Sequence, residues 1–588
     1  MSKIRDLATI LSKTALSNTN KTKLLDSSDL PVTTPGTSVE YFNTLDSLPT
    51  TNLSAGNQAF VQASQRFYIS NGNGWYNVAL VNTNPSLTIS PSGAIALNTD
   101  GSTTTITLVA VDSDNDNLTF SVESDGSFLG LGTIVQDSSV FTITPFSEDS
   151  ATQTSSTLTF KVTDGIAIAS GTSALSLSFV IDWSTASLTE TNLQASDIAD
   201  GDNFGRYSSN LSGDGLYLIA GSMYAASGAG KAYIFFYNGS SWSQQLNVTG
   251  PDGASGTPYF GGTVAIDGDG DVAVIGQHRY DSYTGAAWVY TRSGTTWTQR
   301  VRLEASDGEQ YDMFSGRDLN YSQGIGVSKD GTYIIIGARQ EDTGASNAGS
   351  AYIYTGSAAS WTEQAIIRSP AATASDDFGT SVHINSDGTY AIIGAKGAGA
   401  GTNRGAAYIY TRSGSTWSLQ ATLTASDGAD HDNFGSYVKI SGDGLYAVCN
   451  ARYDDDNYDS SGSVYVFVRS GSSWSQQQKI NLGAGGAIYN YFGSTLDMNE
   501  AGDLIVVGSG GLDTNQIGKA RIYKRTGTTW ALVKTIGASD DADTTGASAI
   551  TGFASKVGMS GNGNVVAVSA YPDTNTTTRG SVYVYNES

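Results

Sequence analysis

The side chains able to do chemistry fall into two kinds of segment, acidic loops and aromatic loops. Three acidic loops share one pattern: ASDIADGDNFG with Asp197, Asp200 and Asp202, ASDGADHDNFG with Asp427, Asp430 and Asp432, and ASDDADTTGAS with Asp540, Asp541 and Asp543. A fourth run, Asp112-Ser-Asp114-Asn-Asp116, alternates carboxylates and is followed at a distance by Asp164; a fifth is Asp267-Gly-Asp269-Gly-Asp271. Calcium takes roughly six to eight oxygens, and closely spaced carboxylates supply several, so calcium is the one cofactor these patterns suggest. None is required, because the same aspartates serve equally in turns, accepting backbone N–H groups. The aromatic loops include SMYAASGAG, QHRYDSYT, ARYDDDNYDSS and YPDTNTTTR, and RQEDTGASNA is their counterpart without a ring. They carry Tyr224, His278, Arg279, Tyr280, Arg339, Arg452, Tyr453, Tyr458 and Tyr571. Aromatic rings beside hydrogen-bonding groups suit sugars, which offer an apolar face and hydroxyls. Ordinary solvated loops would carry the same residues. No catalytic residue is assigned and no enzyme is expected. His278, His383 and His431 are scattered, His383 on a strand, and no phosphate-cradling loop or zinc-ligand spacing occurs. The one cysteine, Cys449, is read as taking the glycine's place in a recurring Ile-Gly-Ala element, buried and inert.

These loops hang on a repeat. Phe-Gly pairs or their variants occur at Phe204, Phe260, Phe314, Phe378, Phe434, Phe492 and Phe553, about 58 residues apart. One unit reads DNFGSYVKISGDGLYAVCNA, a loop, then GSVYVFVRSGSSWSQQQKI. Two hairpin signals divide it into four strands, A to D. Strand D starts near Trp242, Trp297, Trp361, Trp417, Trp474 and Trp530, but the last unit ends without one. Trp183 in IDWSTASLTETNLQASD precedes the first Phe-Gly at the right distance, so it counts as the seventh D-strand tryptophan and the N-terminal segment supplies the missing strand. That arithmetic predicts a seven-bladed β-propeller closed by its own ends, which removes exposed edges. It also places the D–A and B–C loops together at one face, where variable loops on a rigid scaffold serve recognition.

Composition agrees with an all-β chain. Glycine is abundant at 69 of 588 residues and proline scarce at 10. The 31 basic residues against 55 acidic ones give a net charge of −24, which argues against a nucleic-acid partner. One cysteine excludes an intrachain disulfide. No apolar run approaches the roughly 18 residues of a spanning helix, so no membrane insertion is expected. The start, MSKIRDLATILSK, lacks a continuous apolar stretch and is read as carrying no signal peptide.

Four regions result. Residues 1–38 are an arm or linker, with Ile4, Leu7 and Leu11 as one short apolar stripe, and serve as a docking peptide or as a free terminus. Residues 39–85 alternate as a small β-meander around Phe60, Phe67, Tyr68, Trp75 and Tyr76. Residues 86–180 alternate as a β-sandwich, and residues 181–588 are the propeller.

Three resemblances attach to these regions. The opening MSKIRDLATIL and the motifs LPTT, AFV, YISNG and GWYNV resemble structural proteins of tailed bacteriophages, particularly marine cyanophages. The DSDNDNLTF and TDG elements resemble bacterial cadherin-like domains, which implies a calcium role for Asp112, Asp114, Asp116 and Asp164. The repeated FGxSVxISxDGxYxxIGA…GAAYIYxRSG resembles FG-GAP repeats, related to integrin α propellers, and implies adhesion rather than chemistry. Taken together they imply a fibre-like virion protein, assembled in host cytoplasm and exposed on the extracellular particle. Its N-terminal region would join other virion proteins, its propeller would hold a host-surface glycan or protein, and copies would form a homo-oligomer. The alternatives are a capsid, neck or tail decoration protein, and a cellular adhesin or matrix protein.

Overall fold

The computed structural model describes residues 39–51, 55–61, 66–71, 73–78, 84–91, 95–97, 103–112, 117–124, 132–145, 155–164, 167–177, 182–250, 259–316, 323–357, 360–483, 489–509, 518–537, 552–570 and 579–587. The chain divides into two compact units, Met1–Phe179 and Val180–Ser588.

In the first unit, β1 (Val39–Phe42), β2 (Ala55–Val61), β3 (Arg66–Asn71) and β4 (Trp75–Val78) form one sheet in chain order. Strands β2 to β4 are the antiparallel meander, but β1 joins β2 in parallel. The long connection through residues 43–54 permits this, since a parallel neighbour needs a crossover. Ala59, Val61 and Tyr68 are buried there; Phe60, Phe67 and Tyr76 have side chains outside the described set. Eight strands follow: β5 (Ser86–Ser90), β6 (Ile95–Leu97), β7 (Thr104–Val111), β8 (Thr119–Ser124), β9 (Gly132–Asp137), β10 (Val140–Pro145), β11 (Ser155–Thr163) and β12 (Ile168–Leu177). They make two sheets, β5-β7-β10-β9 and β6-β12-β11-β8. Ile106, Leu108, Phe141 and Ile143 of the first interdigitate with Leu158 and Phe160 of the second. The Phe141 and Phe160 rings meet edge to face at 5.2 Å, as a sandwich core prefers.

The second unit is seven four-stranded antiparallel sheets. Their A strands are Ser209–Leu211, Thr263–Ile266, Ile325–Val327, Phe378–Ile384, Phe434–Ile440, Thr495–Met498 and Lys556–Met559, defining blades 1 to 7. Each A strand touches the A strand of the next blade, and that of blade 7 touches that of blade 1, so the sheets form a closed ring. The closing strand is β13 (Leu188–Leu193), which pairs antiparallel with the last strand, Ser581–Glu587. Trp183 lies ahead of β13 rather than on it. It is 1% exposed, packs against Ile536, Val566 and Tyr583 between blades 6 and 7, and donates its indole N–H to Gly563 O at 3.0 Å.

The Phe-Gly motif joins blades. Each phenylalanine is fully buried, and six of the seven rings lie edge-on or tilted at 5.4–5.7 Å to an aromatic on strand C of their own blade, while Phe492 meets Tyr523 at 6.1 Å. The phenylalanine N–H donates to a carbonyl of the preceding blade, as Phe434 does to Arg404 O at 2.9 Å. The following glycine is left-handed, with φ of 71° at Gly205, 78° at Gly261 and 81° at Gly435. Blades 3 and 7 put Ser315 (φ 60°) and Ala554 (φ 62°) there. Ser315 is compensated by a hydrogen bond from its hydroxyl to Ala286 O at 2.7 Å, whereas alanine has no such recourse. Ala554→Gly is therefore expected to stabilise the chain by about 1 kcal/mol, read as a higher urea midpoint at unchanged slope.

The D-strand tryptophans form a second link around the outside. The indole N–H groups of Trp297, Trp417, Trp474 and Trp530 donate to Gln245, Gln364, Gln420 and Gln477, each on strand D of the preceding blade, at 2.8–3.3 Å. Each glutamine stands three residues after a tryptophan. In blade 2 that place is Arg300, and the buried indole nitrogen of Trp361 has no acceptor among the described residues. Arg300→Gln is expected to restore the link and raise stability by about 1 kcal/mol; no gain in unfolding midpoint would sink this account of the ladder.

Cys449 is fully buried, and its thiol is pushed well up by desolvation. It is Asn450, not Cys449, that replaces the recurring glycine: Asn450 aligns with Gly337 and Gly394, and Cys449 with Ile336 and Ile393. At Gly221, Gly337 and Gly394 a Cβ would meet the carbonyl of the next Phe-Gly glycine, at 2.0 Å for Gly337. Asn450 instead makes the contact itself, donating to Gly493 O at 2.8 Å and accepting from the N–H of Tyr437 at 2.6 Å.

At the opposite end the seven A–B turns are joined by backbone hydrogen bonds. They run from Gly268 through Lys329, Ser386, Gly442 and Glu500 to Gly561, and close through Asn562 N–H to Gly213 O and Asp214 N–H to Gly268 O, at 2.8–3.2 Å.

Candidate functional site

Both kinds of loop meet at one face. Asp427 of a D–A loop and Asp454 of a B–C loop both accept from Lys479, at 2.9 and 2.7 Å, and from the Tyr465 hydroxyl. Near the ring axis the residues just after strand B and just before or after Phe-Gly come together.

On blades 1 to 3 they form a continuous arc. The Arg206 guanidinium lies 4.6 Å from the Tyr207 ring centre; Tyr207 meets Tyr224 at 6.0 Å and Tyr224 meets Tyr259 at 5.2 Å. Arg279 then lies between Tyr259 and Tyr283, at 4.1 and 5.2 Å, and Tyr283 meets Tyr311 at 5.5 Å. A shorter cluster on blades 5 and 6 stacks Arg452 between Tyr453 and Tyr491, at 4.9 and 4.7 Å, with Tyr489 against Tyr491 at 6.0 Å. Between them Asp377 draws Arg339 and Lys396, at 3.6 and 3.5 Å. Guanidinium groups over tyrosine faces hold the rings in fixed orientation. The backbone is strained at the same points. Tyr259, Tyr283, Tyr311, Tyr489 and Tyr491 all have φ between 49° and 77°, where bulky residues are rare and function often accounts for the cost.

The residues expected from sequence divide. Tyr224 and Arg279 belong to the arc, and Arg452 and Tyr453 to the second cluster, although Arg452 is buried. His278 is buried beneath Tyr259 at 5.9 Å. Tyr280 turns outward onto Trp288 and Arg302, Arg339 faces Asp377, and Tyr458 is exposed beyond the cluster. Tyr571 lies outside the described residues. Arg206, Tyr207, Tyr259, Tyr283, Tyr311, Tyr489 and Tyr491 were not anticipated. The signal for four of them was the aromatic residues ahead of Phe-Gly in PYFGG, YDMFSG and YNYFGS, where three of the other units have DNF or DDF.

The described aspartates do not converge on a cation position. Asp427 is bound to Lys479 and Tyr465, Asp430 to Arg404 at 2.7 Å, and Asp432 accepts the Ala429 N–H at 2.7 Å. Asp202, Asp312 and Asp376 repeat that last turn contact in their own loops. Asp197 is held down at about 2: burial opposes this, but bonds from Lys231, Asn247 and Tyr233 outweigh it. Asp164 accepts the Ala167 N–H at 2.7 Å and Asp112 follows β7 half-buried, while Asp114, Asp116 and Asp540, Asp541 and Asp543 lie outside the described residues. Asp267 accepts the N–H groups of Asp271 and Val272, and Asp271 pairs with Arg292. Among the described residues no group of three or more His, Cys, Asp or Glu side chains is placed to hold a metal.

Burial, then the charges of Asp454, Asp455 and Asp456, pushes Asp432 up to about 6. A raised folded value means stability that is full below about pH 4 and lost as pH rises through about 6. Asp432→Asn keeps the acceptor and removes the charge. It is expected to add about 1 kcal/mol near neutral pH and nothing near pH 4, the gain being modest because solvent screens part of the repulsion.

The FG-GAP repeat family matches residues 242–290, 297–354, 361–410 and 417–467, each match running from a D-strand tryptophan to strand C of the next blade. Those four stretches match FG-GAP repeats, and the ring of seven four-stranded sheets they help to build is a β-propeller. No curated protein matches the chain. Among solved structures, U3-55K is 9% identical with a TM-score of 0.41, over 68% of this chain and 98% of that one. An oligogalacturonate lyase in complex with manganese is 10% identical with a TM-score of 0.38, over 68% and 96%. A xyloglucanase from Xanthomonas campestris is 12% identical with a TM-score of 0.40, over 67% and 55%.

Proposed function

We propose that this FG-GAP propeller works by adhesion: its loop face binds a glycan or protein on a host-cell surface, and the chain is a non-enzymatic appendage of a tailed-phage particle. The N-terminal region attaches it to other virion proteins, the sandwich acts as spacer, and no cofactor is needed. The single observation that carries the binding reading is the tyrosine–arginine arc on blades 1 to 3. Rings fixed at 5–6 Å spacing by interleaved guanidinium groups, on strained backbone, offer apolar faces with hydrogen-bonding rims, as sugar rings and exposed loops require. The particle reading rests on the resemblance of the first 85 residues to phage structural proteins. Several copies on one particle would turn weak sites into firm attachment.

Antibody raised against residues 182–588 and located on intact particles by electron microscopy tests the placement. Label at the tips of tail-associated fibres is expected; label spread over capsid or neck would replace this reading with a decoration role. For the face itself, Tyr224→Ala with Tyr259→Ala should reduce attachment to host cells at least about tenfold at an unchanged unfolding midpoint.

A further inference from the structure

The innermost strands of the ring carry a buried pair of opposite charges. Three residues ahead of the turn that joins the belt, each A strand has one equivalent position. On blades 4 to 6 these positions are His383, Lys439 and Asp497, and all three line a cavity whose wall reaches the belt at Gly442 and Glu500. On blade 7 the position is Gly558, where even an added Cβ would stand 3.8 Å from Asp497 Oδ2. What the fold itself demands recurs in every unit of a repeat. A lysine beside an aspartate occurs at one step of this series, between blades 5 and 6, so the propeller does not require it.

The pair is closely held. Lys439 Nζ lies 3.0 Å from Asp497 Oδ1, with the two side chains 6% and 7% exposed. The Met498 N–H donates to the same oxygen at 2.9 Å, and the Met559 N–H to Oδ2 at 3.1 Å. One backbone donor on each oxygen fixes the carboxyl group, and such donors also hold negative charge that develops on either oxygen during attack at the carbon. On the other flank of Lys439, His383 accepts the Ile440 N–H at Nδ1 at 3.4 Å. Burial and then Lys439 keep that ring well below the usual histidine range, so it brings no second positive charge. Two ions taken out of water repay their desolvation poorly, even when paired. Condensing them to an amide removes both charges. The single cysteine leaves the chain no internal disulfide, so an amide is the cross-link open to it here.

We propose that Lys439 and Asp497 are a modification site, joined in the folded chain by an isopeptide bond that ties blade 5 to blade 6. One ammonium proton of Lys439 passes to the Asp497 carboxylate. The freed nitrogen lone pair forms a bond to Cγ, and the carbonyl pair moves onto oxygen. A second ammonium proton passes to the departing hydroxyl, the C–O bond breaks, and one water leaves through the cavity. The pair supplies every proton, and nothing is oxidised or reduced. The bond is independent of the adhesive face. Mass spectrometry of the full chain, denatured and digested with trypsin, tests it. The expected product is one branched peptide joining residues 413–452 to residues 480–519, lighter than the two together by one water, because trypsin cannot cut at an acylated Lys439. Complete recovery of separate peptides 413–439, 440–452 and 480–519 overturns the proposal. Lys439→Arg keeps the ion pair but not the primary amine, and should abolish the branched product. A water-deficient branched product containing residues 480–519 in that variant would place the bond elsewhere and equally overturn it. Neither measurement depends on the variant being folded.

Discussion

Gly405→Ala is expected to cost at least about 4 kcal/mol and to leave the chain largely insoluble. Gly405 opens strand C of blade 4 at φ 85°, and an added Cβ would stand 2.0 Å from Phe434 O and 2.4 Å from Phe434 N. Both obstacles are backbone, and that backbone is fixed by the Phe434 N–H bond to Arg404 O. Neither side can give without parting two blades. Gly414 supplies the control: its φ is 62°, but nothing lies within 4 Å of the added carbon. Gly414→Ala should cost only about 1 kcal/mol, the conformational penalty alone. Paired urea unfolding curves separate the effects, and similar losses in the two variants would refute close approach as the reason for the glycine. Glycines at the same place in other blades face the same carbonyl, as Gly230 does Phe260 O at 2.1 Å and Gly349 does Phe378 O at 2.0 Å.

Trp183→Ala should cost about 4 kcal/mol although the residue lies on no strand of the ring. Its indole fills the space between blades 6 and 7 and satisfies Gly563 O, so truncation leaves a cavity and an unpaired carbonyl together. Trp417→Ala, at a half-buried indole on strand D, should cost roughly half as much. The comparison is read from unfolding midpoints. A loss below about 1 kcal/mol at Trp183 would mean that β13 alone closes the ring.

The ring was legible because its period is long and its punctuation strong. Phe-Gly spacing, two hairpin turns per unit and a count of tryptophans were enough for seven sheets and for closure by the chain's own ends. The residue-level reading went astray where one side chain did two jobs. Cys449 looked like the substitute for a glycine because it follows the apolar run, whereas register gives that place to Asn450, whose amide makes the contacts a bare backbone otherwise avoids. Trp183 looked like a strand D tryptophan, but without a glutamine to face it, it serves the core. The tyrosine–arginine clustering of the loop face was half legible. Variable B–C loops announced Tyr224, Arg279 and Tyr453, while Tyr207, Tyr259 and Tyr491 sit beside the most regular motif in the chain and so read as part of it. Their cation–aromatic stacking depends on neighbouring blades, which no single unit encodes. The acidic loops misled in the other direction: most of their described carboxylates are tied to lysine, arginine or turn N–H groups, partners supplied by the next strand or by the loop's own curvature.

Ring closure has a mechanical side. The polypeptide from the first unit enters the propeller through Trp183 before it reaches Leu188, the first paired residue of β13. Tension arriving along that tether meets the buried indole before it meets any rung of the β13 ladder. A peeled ladder gives way one hydrogen bond at a time, but an anchored ring side chain must leave its pocket all at once. If the loop face grips a surface while the N-terminal end is held, Trp183 is the cleat that keeps the pull from unzipping blade 7.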